Sequence, residues 1–176
     1  SLLTSQPETY LTILLDGSGA LSKAGAWQQA IGAGKAFITK QMAAGSNVRV
    51  RIALIGDKLT IKQPFSSDKT LVNMVFGNLS EEPASQVDIH GALAKTLETS
   101  AAFQKARRVD VDGGVVTLGQ VLLVTATADT AKVMSLASLT QAVEQSRDDV
   151  VVLPIGTKIS EKTATSLSKN GVYADR

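Results

Sequence analysis

The sequence predicts an α/β fold, a mostly parallel sheet covered by helices on both faces, and three observations carry that expectation. Short apolar runs, "LTILL" at 11–15, "VLLV" at 121–124 and "VVVL" at 150–153, suit strands buried on both sides. Between them lie stretches with the i, i+3, i+4, i+7 apolar spacing of an amphipathic helix. The two patterns alternate along the chain, as they do where crossover helices join parallel strands.

Each element has its own signal. Leu11 to Leu15 reads as the first strand and runs into "DGSGA", where a carboxylate meets residues that let the backbone turn. From Trp27 the apolar residues Ala30, Ile31, Phe37, Ile38 and Met42 form one stripe, predicting a long helix with Gly45 near its end. Trp27, Ile31, Phe37 and Ile38 are expected to pack it on the sheet. "VRVRIALIG" at 48–56 predicts a second strand. "GDKLTIKQPF" turns at Gly56-Asp57 into a third, with Lys58, Lys62 and Pro64 suiting a sheet edge. Leu71, Val72, Val75, Phe76 and Leu79 mark a helix capped by Ser67 or Asp68. Another starts near Asp88, with Ile89, Ala92, Leu93, Thr96 and Leu97 on one face. "QVLLVTAT" is a strand, Leu136, Leu139, Ala142 and Val143 lie on a helix, "DVVVLPIG" is a strand, and Ser160 to Lys169 is a short helix. "QKARRVDVDGGVVTLGQ" breaks this rhythm. Its Asp112-Gly113-Gly114 between valine-rich flanks predicts an exposed hairpin over Val109 to Leu118, dispensable for folding, with Lys105, Arg107 and Arg108 as its basic root.

The 176 residues suit one domain with a core of its own. Eighteen Lys and Arg against 16 Asp and Glu give a net charge of +2, too weak a field to call for nucleic acid or an anionic membrane. The absence of cysteine excludes thiol catalysis, thiolate metal sites and a disulfide framework. No apolar run reaches the roughly 18 residues of a membrane span. Ser1 opens the chain without a basic and apolar leader, which predicts a mature or excised segment.

Catalytic signatures fail one by one. A dinucleotide fingerprint over Gly17 and Gly19 would need glycine at Ser22. "GAGKAF" at 32–37 lacks the first glycine of a P-loop, which is Gln29, and its Ser/Thr, which is Ala36. A hydrolase elbow needs G-x-S-x-G, whereas Ser18 is flanked directly by Gly17 and Gly19. The single histidine, His90, has no evident acid partner in the sequence. A flavodoxin-like small-ligand protein, using the loop after the first strand as an anion site, stays open as an alternative.

"TILLDGSGAL", the long helix with its aromatic, "VRVRIALIGD", "VDIHGALAKTLE", "VLLVTATAD" and "VVVLPIG", in this order, resemble a von Willebrand factor A domain over nearly the whole chain. The resemblance implies a doubly wound, Rossmann-like sheet with one antiparallel edge strand and a protein-binding role in adhesion, matrix or surface receptors. "LLDGS" and "VRV" are similar to the matrix branch, such as the A-type repeats of collagens. A closing helix usual in the family has no counterpart after "GVYADR".

The family's metal-ion-dependent adhesion site (MIDAS) gathers oxygens from Asp-x-Ser-x-Ser, a threonine and an aspartate around a magnesium ion. By the resemblance, Asp16 and Ser18 match, whereas Ala20, Val87 and Ala126 stand where a serine, the threonine and the aspartate belong. The expectation is a protein-binding face without a resident metal, Asp16 and Ser18 being the residual candidates for a weak magnesium ion. Asp16, Ser18, Ser22, Asp88, His90, Thr125 and Asp129 are the candidate binding-face residues. The partner is expected to be a matrix or surface protein and the setting extracellular or the cell surface, with an intracellular scaffold of the same fold as the alternative.

Overall fold

The computed structural model describes residues 6–127 and 129–155. The helix expected at Ser160 to Lys169 lies outside them. The elements run β1 (Glu8–Asp16), α1 (Ala20–Lys23), α2 (Trp27–Gln41), β2 (Val48–Ile55), β3 (Leu59–Ser66), α3 (Lys69–Gly77), α4 (Ile89–Asp110), β4 (Thr117–Thr125), α5 (Leu136–Gln145) and β5 (Asp149–Pro154).

The five strands form one sheet in the order β3-β2-β1-β4-β5. β1 pairs in parallel with β2 and β4, β4 in parallel with β5, and β3 runs antiparallel along β2 at the edge. The strand order reverses direction at β1, so the C-terminal ends of β1 and β4 open the crevice where doubly wound sheets carry their ligands.

Alternation along each strand feeds two separate cores. Leu11, Ile13 and Leu15 of β1 join Val50, Ile52 and Leu54 of β2 beneath Ala30, Ile31 and Ile38 of α2 and Val72 and Phe76 of α3. Leu14 joins Ala53, Val121 and Leu123 beneath Ile89, Leu93 and Leu97 of α4 and Leu139 and Val143 of α5. α2 and α3 meet closely: a Cβ added at Gly34 would lie 2.3 Å from the Phe76 ring. Trp27 and Phe37 are only half-buried against the first core, so the aromatic anchor of that layer is the fully buried Phe76 rather than Phe37. α1, a single turn, carries no periodic signal that the sequence could display.

The expected hairpin over Val109 to Leu118 is not there. α4 continues through Asp110, and only the turn around Asp112 precedes β4, with Gly113 and Gly114 both at φ near +80°. The physical cause lies in what the helix's last turns bury. Gln104 is buried, Phe103 packs its ring 5.6 Å from Tyr10 and 4.9 Å from Phe65, and Arg107 reaches Glu8 of β1. The basic residues read as the root of a protruding loop are helical. Two of them are tied to the strands, since Arg108 donates to the Thr117 hydroxyl.

Candidate functional site

β1 delivers Asp16 to the C-terminal edge of the sheet, paired in register with Ile55 and beside Thr125 at the end of β4. Its side chain is fully buried. Oδ1 accepts the Ser18 N–H at 3.0 Å and Oδ2 accepts the Thr125 hydroxyl at 3.3 Å. The loop thus folds back on its own carboxylate, a local side-chain-to-backbone bond that holds the turn. Burial pushes the Asp16 carboxyl above its ordinary value; the Ser18 hydroxyl and N–H and the Thr125 hydroxyl oppose that shift, and the nearby Glu81 carboxylate adds to it. The Ser18 hydroxyl favours the charged form by proximity only, because Oγ is buried without a hydrogen-bond partner of proper geometry.

The irregular segment between α3 and α4 crosses over this loop. Glu82 N–H donates to Gly17 O at 2.7 Å and Ala84 N–H to Ser18 O at 3.0 Å. Ser22, exposed on α1, donates its hydroxyl to the Glu81 carboxylate and does not join Asp16.

Asp88, His90 and Asp129 form a second group at the start of α4. Asp88 caps the helix by accepting Gly91 N–H at 2.8 Å. Asp129 reaches across from the loop after β4, accepting His90 N–H at 3.1 Å and Lys132 N–H at 2.8 Å. Two carboxylates therefore satisfy first-turn N–H groups that have no partner within the helix. His90 lies with Nδ1 2.8 Å from Met134 O and 4.0 Å from Asp129 Oδ2. A carbonyl only accepts, so Nδ1 carries the proton. Val87 N–H to Thr130 Oγ1 at 2.8 Å, with Thr130 and Ala131 N–H to Val87 O, completes the clasp.

Between the two groups lies a recess of about 280 Å³, lined by Ser18, Ala20, Lys23, Ser85, Thr127 and Thr130 among others. Hydroxyls and methyl groups dominate it, and among the described residues Lys23 is its one charged side chain. The sequence offered no sign of Lys23 or Glu81. Both lie in segments without periodicity, and only the backbone bonds from Glu82 and Ala84 bring Glu81 to the site.

No family model matches the sequence, and no curated protein matches it. Solved structures do resemble it. Proximal thread matrix protein 1 from the mussel byssus superposes with a TM-score of 0.71 at 14% identity, over 94% of this chain and 42% of that one. The vWF domain of the pilus tip protein Mfa5 from Porphyromonas gingivalis gives 0.51 at 14% identity, over 72% and 40%. The fold is that of a von Willebrand factor A domain. BatB from Bacteroides thetaiotaomicron gives 0.63 at 14% identity, over 91% of this chain and 85% of that one. The chain spans about two-fifths of the mussel protein's length. A further structure of that protein has zinc in its MIDAS motif.

The same position in this chain does not fit an octahedral ion. Ala126 and Val87 are buried with their side chains in the two cores, and Ala20 presents a methyl group to the recess. Asp16 and Ser18 are what remain of the donor set, and a hard divalent ion takes about six oxygens. Among the described residues no three His, Cys, Asp or Glu side chains converge. Nor does the loop after β1 offer an anion cradle. Gly17 N–H is donated to Ile55 O at 2.7 Å, Ser18 N–H goes to Asp16, and a buried carboxylate stands where a phosphate would sit.

Proposed function

We propose that this A domain is a non-enzymatic protein-binding module, adhesive in kind, of an extracellular matrix or cell-surface protein, and that it engages its partner without a metal ion. The observation that carries the proposal is the recess at the C-terminal ends of β1 and β4. It stands where doubly wound sheets bind, it is walled by Ser18, Ser85, Thr127 and Thr130, and its MIDAS donor positions hold methyl-bearing side chains. The Thr130 hydroxyl side of the recess is exposed and offers a polar contact to a partner. A non-catalytic role is supported by the likeness to a byssus matrix protein and a pilus tip protein. The engaged N–H groups of Gly17 and Ser18 favour this reading over a phosphate-binding, flavodoxin-like one. Among the described residues no helix is long and apolar enough to cross a membrane.

The test is binding of the purified domain to immobilised extracellular-matrix extract, with and without EDTA. Binding that persists in EDTA, is lost in Ala24→Arg and Ser85→Arg at the recess, and survives Lys105→Glu on the far part of α4 supports the proposal. Binding that EDTA abolishes, or that ignores both recess variants, contradicts it.

A further inference from the structure

We propose that Asn78 is an N-linked glycosylation site, an inference that rests on the extracellular reading above. Asn78-Leu79-Ser80 is an N-x-S acceptor sequence, and the remaining asparagines, Asn47, Asn73 and Asn170, have Arg49, Val75 and Val172 at the position of the hydroxyl residue. Sequence alone makes this a weak motif; its placement in the fold gives it weight. Asn78 is the C-cap of α3, with φ −102° and ψ 11°, and opens the irregular segment that runs to Asp88. Asn78 and Ser80 are both exposed, whereas Leu79 between them is half-buried and anchors the turn. The acceptor amide and the hydroxyl are therefore presented to solvent outside any helix or strand, where a transferase can engage them.

Two local features accommodate the product. Asn78 Nδ2 donates to Met74 O at 2.9 Å, and an N-glycosylated amide keeps one N–H, so this capping bond survives modification. Beside it lies a shallow recess of about 430 Å³ lined by Lys62, Met74, Val75, Leu79 and Glu82. Met74 is 55% exposed there, and a first sugar residue seated over its side chain would shield it from water. The co-reactant is a lipid-pyrophosphate-linked oligosaccharide. The bond from its anomeric carbon to the phosphate oxygen breaks and the electron pair leaves with the lipid pyrophosphate. The anomeric carbon bonds to Asn78 Nδ2, and one amide proton passes to a base of the transferase.

The experiment expresses the domain behind a cleavable secretion signal in a eukaryotic cell and measures the intact mass of the secreted, folded product. The expected result is a mass increase that peptide-N-glycosidase removes, absent in Asn78→Gln and Ser80→Ala and retained in Ser80→Thr. A secreted product that melts cooperatively at the bare polypeptide mass overturns the proposal, as does a glycan that persists in Asn78→Gln. The extracellular reading fails by a different observation, namely retention of the native precursor in the cytosol.

Discussion

Arg107, on the last turn of α4, clamps Glu8 at the start of β1 with two parallel bonds, Nε to Oε1 and Nη2 to Oε2, both 2.9 Å. Arg49 adds a third contact at 3.1 Å and the Tyr10 hydroxyl a fourth at 2.9 Å. The forked geometry gives Arg its advantage over Lys at such a site. The Arg107 hydrogen bonds, against the cost of burial and with help from Tyr10 and Arg49, hold the Glu8 carboxyl down to about 2 from its ordinary 4.5.

A depressed carboxylate contributes stability that is fully present above its unfolded value and is lost as pH falls. Glu8 should therefore contribute in full above about pH 4.5 and progressively less toward pH 2. Glu8→Gln, which weakens bonds to charged donors, should cost about 1.5–3 kcal/mol at neutral pH. Its deficit against the wild type should shrink in acid. Thermal melts from pH 7 down to pH 3 check this, and a deficit constant across that range would contradict it.

Phe76 should matter more than Phe37. The Phe76 ring is fully buried against Gly34, so Phe76→Ala should cost about 3–5 kcal/mol, whereas the half-buried Phe37 should lose clearly less. Gly34→Ala should also destabilise, because the new methyl group meets that ring. Denaturant unfolding of the three variants gives the ranking.

The connection from α4 to β4 should not be dispensable. Replacing residues 110–117 by a short Gly/Ser linker removes the Thr117 hydroxyl, which takes Arg108, and displaces the main chain at 116, whose carbonyl accepts the Glu8 N–H at 2.9 Å. The thermal midpoint should fall. Gly113→Ala alone should cost about 1–2 kcal/mol, since its φ of 80° is one that a Cβ resists. An unchanged midpoint in the linker variant would restore the picture of a free loop.

Asp16 should behave as a carboxylate held against its preference. Burial raises it above its ordinary 3.8, so the folded state holds its proton more tightly than the unfolded one, and stability declines as pH rises through that interval. Asp16→Asn keeps an oxygen for the Ser18 N–H and removes the charge. It should melt no lower than the wild type at neutral pH, while Asp16→Ala, which orphans that N–H, should melt lower. A carboxylate that held a native ion would show the reverse for Asn.

The periodic elements were legible in the sequence because burial on two faces forces apolar runs in the strands and one stripe on each helix. α4 from Gln104 onward was not. Its buried Gln104 and its Arg107 are polar residues spent on internal partners, and in a sequence they look the same as a solvated loop. At the site, Asp16 and Ser18 stood out because a carboxylate ends an apolar strand. The positions lacking metal donors were visible only through the family resemblance, by noticing Ala20, Val87 and Ala126. Asp88 and Asp129 lie one and three residues beyond the donor positions at Val87 and Ala126, and that offset predicts side chains that point elsewhere. Their bonds to Gly91, His90 and Lys132 show them occupied with the backbone at the start of α4 and in the loop after β4. The contact of Ser22 with Glu81 was invisible, since 59 residues separate the two and neither lies in a periodic stretch.

The central claim is that the face around Asp16 works without an ion, and titration calorimetry of the domain with magnesium, calcium and manganese in the millimolar range tests it most directly. No saturable heat is predicted for any of the three, in the wild type or in Asp16→Ala, because alanine, valine and alanine occupy three of the five donor positions. A saturable heat in the wild type that Asp16→Ala abolishes would contradict the account.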